Sequence, residues 1–255
     1  MVFPDDDCLA RDLAVAAGER LLKLRASGSA ADDLRCAGDL GSQEFLAAEL
    51  ARARPHDAVL SEEAVDDPAR LAADRVWIID PLDGTREFGE EGRVDWAVHV
   101  ALWERGQLTA GAVALPAHDA VLSTAEPPAP PAAAPGAALR LVVSRSRPPE
   151  FVQRLAAKLG AELVPLGSAG AKAASVITGE VSAYVHSGGQ YEWDSAAPVA
   201  VARAAGLHTS RIDGSNLRYN SEQPWMPDIL ICPVPLAGRL LDAISAVQQH
   251  QQHQQ

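Results

Sequence analysis

Val76-Trp77-Ile78-Ile79-Asp80-Pro81-Leu82-Asp83-Gly84-Thr85 constrains this chain more than any other segment. Its first half is β-branched and aromatic, the composition of a strand buried on both faces. Its second half reads as a turn, because Pro81 fixes φ and donates no hydrogen bond while Gly84 admits conformations other residues resist. The end of the strand therefore presents Asp80 and, three residues on, Asp83. Two carboxylates held this close would repel each other. A hard cation between them removes the conflict, since Mg²⁺ takes oxygen ligands and keeps only one or two carboxylates beside water and phosphate oxygens. Thr85 adds a hydroxyl, and free N–H groups of Gly84 and Thr85 would add anion donors if a helix or tight turn starts there. The competing reading is an ordinary Asp-rich turn.

The chain has 255 residues, 47% of them hydrophobic, enough for one large or two modest cores. No run approaches the roughly 18 to 20 apolar residues of a membrane span. The opening Met1-Val2-Phe3-Pro4-Asp5-Asp6-Asp7 is acidic, unlike a signal peptide, and Cys8, Cys36 and Cys232 are widely spaced with no metal-ligand pattern. These features lead us to expect a cytoplasmic protein with reduced thiols. The net charge of −12 disfavours nucleic acid polymer and anionic membrane as partners. It does not exclude a small anionic substrate, because bound divalent cations can invert the sign of a site.

Leu9, Leu13, Ala17, Leu21 and Leu24 recur at helical spacing behind an acidic start, predicting a helix over residues 6–26. Phe45, Leu46 and Leu50 mark a second helix, with Asp39 just ahead of it as a plausible cap. A short strand over residues 58–60 ends in Ser61-Glu62-Glu63. Residues 95–102, 108–115 and 120–123 read as an antiparallel meander. The Pro/Ala-rich stretch 126–137 is the strongest composition shift and suggests a linker between a catalytic domain over 1–125 and a second domain over 138–247. Strand and helix alternate through that second half, predicting an α/β domain in which Ser187-Gly188-Gly189-Gln190 is a loop. Residues 248–255 read as a disordered Gln/His tail.

Glu62, Asp80, Asp83 and Asp194 all stand where a predicted buried element begins or ends. Asp194 alone could be a helix cap; the four together argue for metal. Scattered histidines (His56, His99, His118, His186 and His208) are expected as core or surface residues. Ser144 and Ser195 lack a base partner, which disfavours a nucleophilic serine.

With Trp77-Ile78-Ile79-Asp80-Pro81-Leu82-Asp83-Gly84-Thr85, Ser61-Glu62-Glu63 and Trp193-Asp194-Ser195-Ala196-Ala197-Pro198 in this order, the sequence resembles the lithium-sensitive, magnesium-dependent phosphomonoesterases of the inositol monophosphatase superfamily. The resemblance covers nearly the whole chain to about residue 247. It implies an α/β fold, a layered α-β-α-β-α sandwich. It implies two or three Mg²⁺ ions per site, the first held by Glu62, Asp80 and the Leu82 carbonyl, the second by Asp80, Asp83 and Asp194, with Glu62 also at a looser third. Thr85 and Asp39 would orient the attacking water, and Glu63 would stand behind the ligands. Cys36 occupies the place, three residues before Asp39, where the family usually has Thr or Ser.

Three further elements resemble the CysQ-type 3′(2′),5′-bisphosphate nucleotidase branch: Ser144-Arg145-Ser146-Arg147, Gly167-Ser168-Ala169-Gly170-Ala171-Lys172 and Leu217-Arg218-Tyr219-Asn220. The expected substrate is 3′-phosphoadenosine 5′-phosphate, giving AMP and phosphate, which would link the chain to sulfate assimilation. Arg145, Arg147 and Lys172 are candidates for its second phosphate, with Gly84, Thr85, Ser144, Gly167 and Ser168 beside them. Solvated surface is the competing reading for the two arginines. Inositol monophosphate and fructose 1,6-bisphosphate are the competing substrates, and a catalytically dead metal or nucleotide sensor is the competing class. Lithium inhibition is expected, and a homodimer is left open.

Overall fold

Among the described residues (5–28, 30–131 and 138–252 of a computed structural model), two five-stranded sheets stack between layers of helix. Helices α1 (Asp6–Arg25) and α2 (Ala31–Ala53) cover the outer face of the first sheet. That sheet has the order β1 (Ala58–Ser61), β2 (Arg75–Asp83), β3 (Ala97–Glu104), β4 (Gln107–Leu115) and β5 (Ala120–Ser123). The β1–β2 pair is parallel and the others are antiparallel. A short helix, α3 (Thr85–Gly89), follows β2.

The second sheet comprises β6 (Arg140–Ser144), β7 (Glu162–Leu166), β8 (Ala183–Tyr191), β9 (Leu207–Ser210) and β10 (Trp225–Pro233), in the spatial order β7-β6-β8-β10-β9. Helices α5 (Ala169–Ile177) and α6 (Glu192–Ala204) lie between the sheets. Helices α4 (Glu150–Leu159) and α7 (Val234–Gln252) cover the far face of the second sheet. The architecture is thus the layered α-β-α-β-α sandwich expected from the sequence.

Alternation along β2 explains the layering. Trp77 and Ile79 enter the core formed with α1 and α2, while Val76 and Ile78 enter the core shared with α5, α6 and the second sheet. Each of these side chains is fully buried, worth roughly 1.5–3 kcal/mol apiece. On α1, Leu9, Leu13, Ala17 and Leu21 form the buried stripe, and the Asp5 carboxylate accepts from the Cys8 N–H at 2.8 Å as the cap.

The structure corrects three local expectations and adds one strand. Helix α2 begins at Ala31, so Asp39 lies inside it and does not cap it; Asp32 and Asp33 occupy the first turn, and Leu34, Gly38, Ser42 and Leu46 continue its buried face. Ser187-Gly188-Gly189-Gln190 lies within the end of β8 and is no free loop: Ser187 and Gln190 pair with β10, and Gly188 and Gly189, both at positive φ, form a bulge between them. Strand β9, four residues at the sheet edge, carries too short a pattern to be read from sequence. Helix α7 continues to Gln252, into the stretch read as a disordered tail, consistent with the good helix propensity of Gln; residues 253–255 lie outside the described residues. So do residues 132–137 of the Pro/Ala-rich linker. No described helix is long and apolar enough to cross a membrane.

Candidate active site

Asp80 and Asp83 sit on β2, and Asp194 on the first turn of α6. The three offer carboxylate oxygens that all lie within 4.8 Å of one another. Two residues three apart on a regular strand face opposite sides of a sheet. Here Asp80 pairs with His99 and Asp83 with Ala97, so β2 spends one residue more than β3 between them. This bulge, at Pro81-Leu82 where Pro81 has no N–H to give the ladder, turns both carboxylates toward one cluster. On α2, one turn past Asp39, the Ser42 hydroxyl donates to the Pro81 carbonyl at 2.7 Å and ties that helix to the bulge.

The cluster is electrostatically expensive without a cation. Burial, then repulsion from Asp83, Glu62 and Asp194, pushes the Asp80 carboxyl well above the usual range. Burial and Asp83 push Asp194 up to about 6. Glu62 follows β1, and burial, Asp194, Asp83 and Glu63 push it up to about 7. Asp83 behaves oppositely. Burial alone would raise it, but His99 and Lys172 and the hydrogen bond from Ser168 hold its carboxyl below the ordinary value. A set of hard carboxylate oxygens that raise one another's pKa is the donor chemistry of a Mg²⁺ site, so these residues fit the cation that the motif implies. Asp194 also accepts from the Tyr191 N–H at 2.6 Å, so capping and cluster roles coexist in one side chain.

Gly84, at φ 87°, turns the chain out of β2 in a conformation that other residues resist, and Thr85 opens α3. The Thr85 hydroxyl lies 3.1 Å from both the Asp39 carboxylate and the Leu82 carbonyl. Burial is the main cause that pushes Asp39 up to about 6. The exposed Glu63 adds repulsion to both Asp39 and Glu62.

A cavity of about 780 Å³ opens beside the cluster. Asp83 and Asp194 line it, together with Gly84, Ser144, Arg147, Gly167, Ser168 and Lys172. Arg145 does not: its guanidinium donates to Glu87 at 2.8 Å and to Glu90 at 3.0 Å, which ties the chain just after β6 to the α3 region. The Gly167-Ser168 turn is engaged by the protein itself. Gly167 N–H donates to Asp95 at 2.5 Å. Asp83 receives the Ser168 hydroxyl and the N–H groups of Ala169 and Gly170, adding to the Ser168 cap of α5, whose hydroxyl accepts from the Ala171 N–H at 3.0 Å. Lys172 is buried, and its ammonium donates to the Ser168 and Gly167 carbonyls at 2.7 and 3.3 Å. Asn220, in the Leu217–Asn220 element, also bonds within the protein. Its N–H donates to Glu192 and its amide to the Arg70 carbonyl.

Sequence reasoning missed five contributors. His99 was grouped with scattered histidines, yet its Nε2 lies 3.2 Å from Asp83. Arg86 lines the cavity directly after Thr85, where its position beside the motif was a usable signal. Gln190, Tyr191 and Trp225 reach the cavity only through the β8–β10 pairing, which no local pattern announced.

Comparison with known proteins places these observations in a family. Residues 9–252 match the inositol monophosphatase family. The chain is 50% identical over 258 residues to a 3′-phosphoadenosine 5′-phosphate phosphatase of Mycobacterium leprae, covering 96% of this chain and 95% of that protein. It is 54% identical over 217 residues to the protein of the same name from Mycobacterium tuberculosis, covering 82% and 81%. Among solved structures, CysQ from Bacteroides thetaiotaomicron superposes with a TM-score of 0.79 at 27% identity, covering 89% of this chain and 97% of that one.

Proposed function

The chain belongs to the inositol monophosphatase family, and from that premise we propose that it is a Mg²⁺-dependent phosphomonoesterase that converts 3′-phosphoadenosine 5′-phosphate to AMP and phosphate. The observation that carries the reading is the convergence of Asp80, Asp83 and Asp194 at the edge of a cavity of about 780 Å³. The names of the mycobacterial relatives supply the substrate.

Asp80, Asp83 and Asp194, with Glu62 and the Leu82 carbonyl, would hold two or three Mg²⁺ ions. Such ions, when bound, supply positive charge to the scissile phosphate and lower the pKa of water. The protein's own residues do the positioning. When the Thr85 hydroxyl donates to Asp39, its lone pairs are left to accept from the attacking water, which would fix the direction of attack. Asp39, with its carboxyl pushed up to about 6, is matched to receive the proton near neutral pH. Arg147 and Arg86 line the cavity as cations for the phosphate that is not cleaved. The same proposal divides the labour at residues 126–137, with metal-binding residues mostly before that stretch and substrate-binding residues mostly after it.

The test is initial rates on 3′-phosphoadenosine 5′-phosphate, inositol monophosphate and fructose 1,6-bisphosphate at matched Mg²⁺, with and without lithium. The proposal expects the nucleotide to be the preferred substrate and lithium to inhibit. Preference for inositol phosphate would overturn the substrate, and no turnover on any of the three would overturn the enzyme in favour of a sensor.

A further inference from the structure

Trp225 belongs to none of the hydrophobic cores and is 50% exposed, unusual for the largest apolar side chain. It stands at the start of β10, in register with Tyr191 at the end of β8, and both line the cavity that holds Asp83 and Asp194. The two rings meet edge to face, with centroids 5.5 Å apart, and Tyr191 stacks on Trp193 at 4.7 Å. Gly189 makes room for the indole: a Cβ there would collide with Trp225, and its φ of 91° also selects glycine. Trp225 also lines a second cavity of about 630 Å³, so the ring stands between two open spaces.

A second, independent observation lies next to it. Gln190 is only 8% exposed, lines the same cavity, and its buried amide nitrogen has no hydrogen-bond partner among the described residues. An unmet buried donor carries a desolvation penalty that a ligand acceptor would relieve. Trp225 and Tyr191 share one face of the β8–β10 pair and Gln190 belongs to the other, so an aromatic face and a carboxamide reach one cavity from adjacent positions, and a nucleobase is recognised by that combination of stacking and edge hydrogen bonds.

We infer that Trp225 and Gln190 form the base subsite of the cavity, with the purine stacked on the indole and the Gln190 amide donating to its edge. The inference rests on the nucleotide reading above and extends it to the selection of the base.

The experiment compares kcat/KM for 3′-phosphoadenosine 5′-phosphate with that for an abasic methyl riboside carrying the same two phosphates, in wild type, Trp225→Ala, Trp225→Phe and Gln190→Leu. Stacking energies predict that Trp225→Ala lowers the preference for the nucleotide by about fivefold to a hundredfold, carried by KM. Trp225→Phe restores most of it. Gln190→Leu narrows the discrimination between purine and pyrimidine bisphosphates. AMP binding, followed by tryptophan fluorescence, should quench wild type and lose most of that quench in Trp225→Phe. If wild type does not hydrolyse the nucleotide, the substrate reading itself fails. If wild type hydrolyses it and Trp225→Ala keeps the full preference for it over the abasic compound, only the base subsite is overturned.

Discussion

His99 Nε2 and the Asp83 carboxylate lie 3.2 Å apart, with His99 fully buried and Asp83 nearly so. Burial disfavours charge on both, yet the contact outweighs it in each: the His99 pKa is raised and the Asp83 pKa is lowered. The other ring nitrogen lies 3.0 Å from the Trp193 carbonyl, one residue before Asp194, so the imidazole links two members of the acidic cluster through one rigid ring.

His99→Ala should therefore weaken both metal affinity and stability. Loss of an orienting partner behind a metal ligand typically costs about 10- to 100-fold in affinity. Leaving the buried Asp83 with Lys172 as its remaining cationic neighbour costs up to about 3–5 kcal/mol. Calorimetric Mg²⁺ binding and thermal melts of the variant measure the two effects, and an unchanged Mg²⁺ affinity would remove His99 from the site.

Asp39→Asn and Thr85→Ala should each lower kcat by roughly 10²- to 10⁴-fold, the usual contribution of a positioned proton acceptor. KM and Mg²⁺ affinity should move little, because neither side chain belongs to the acidic cluster. Steady-state kinetics over a Mg²⁺ titration separates the terms. Recovery of the rate at high Mg²⁺ would instead make Asp39 a metal ligand.

Metal removal should expose the strain in the cluster, with a definite dependence on pH. Glu62 is pushed up to about 7 and Asp194 and Asp39 to about 6, so the folded protein keeps protons that the unfolded chain has released above about pH 4. Stability of the metal-free protein then falls as pH rises from 4 through 7. Mg²⁺, which competes with those protons, should raise Tm more at pH 8 than at pH 5. Melting curves with and without chelator at the two pH values check this, and a Mg²⁺ effect independent of pH would contradict it.

The two arginines of the Ser144–Arg147 segment should separate. Arg147→Ala should raise KM for the bisphosphate about tenfold with little change in kcat, as the loss of one guanidinium–phosphate contact. Arg145→Ala should act mainly on stability, because its partners are Glu87 and Glu90. Paired kinetics and melts of both variants decide, and the opposite pattern would return Arg145 to the substrate.

The local chemistry of the site was legible in the sequence. Strand composition around Trp77-Ile78-Ile79 and the run Asp80–Thr85 marked a buried strand ending in carboxylates, because burial pattern and turn residues are short-range signals. Helix α1 and the meander β3–β5 were readable for the same reason, whereas the layered fold followed from the family resemblance. Asp39 was picked out through family resemblance and placed ahead of a helix; its position inside α2 depended on how far that helix propagates toward Ala31.

What only the tertiary structure decided is which groups share a space. Spacing alone would put Asp80 and Asp83 on opposite faces of a strand, and the bulge opposite Val98 between their partners His99 and Ala97 brings them together. Ser168, expected at the phosphate, is turned to Asp83, and Arg145 to Glu87, because buried charges take the partners that packing puts within reach. His99, Gln190 and Trp225 carry no motif at all. Their meaning comes from strands paired across long sequence separations, and such pairings are fixed by the cores between the layers and not by the residues on either side.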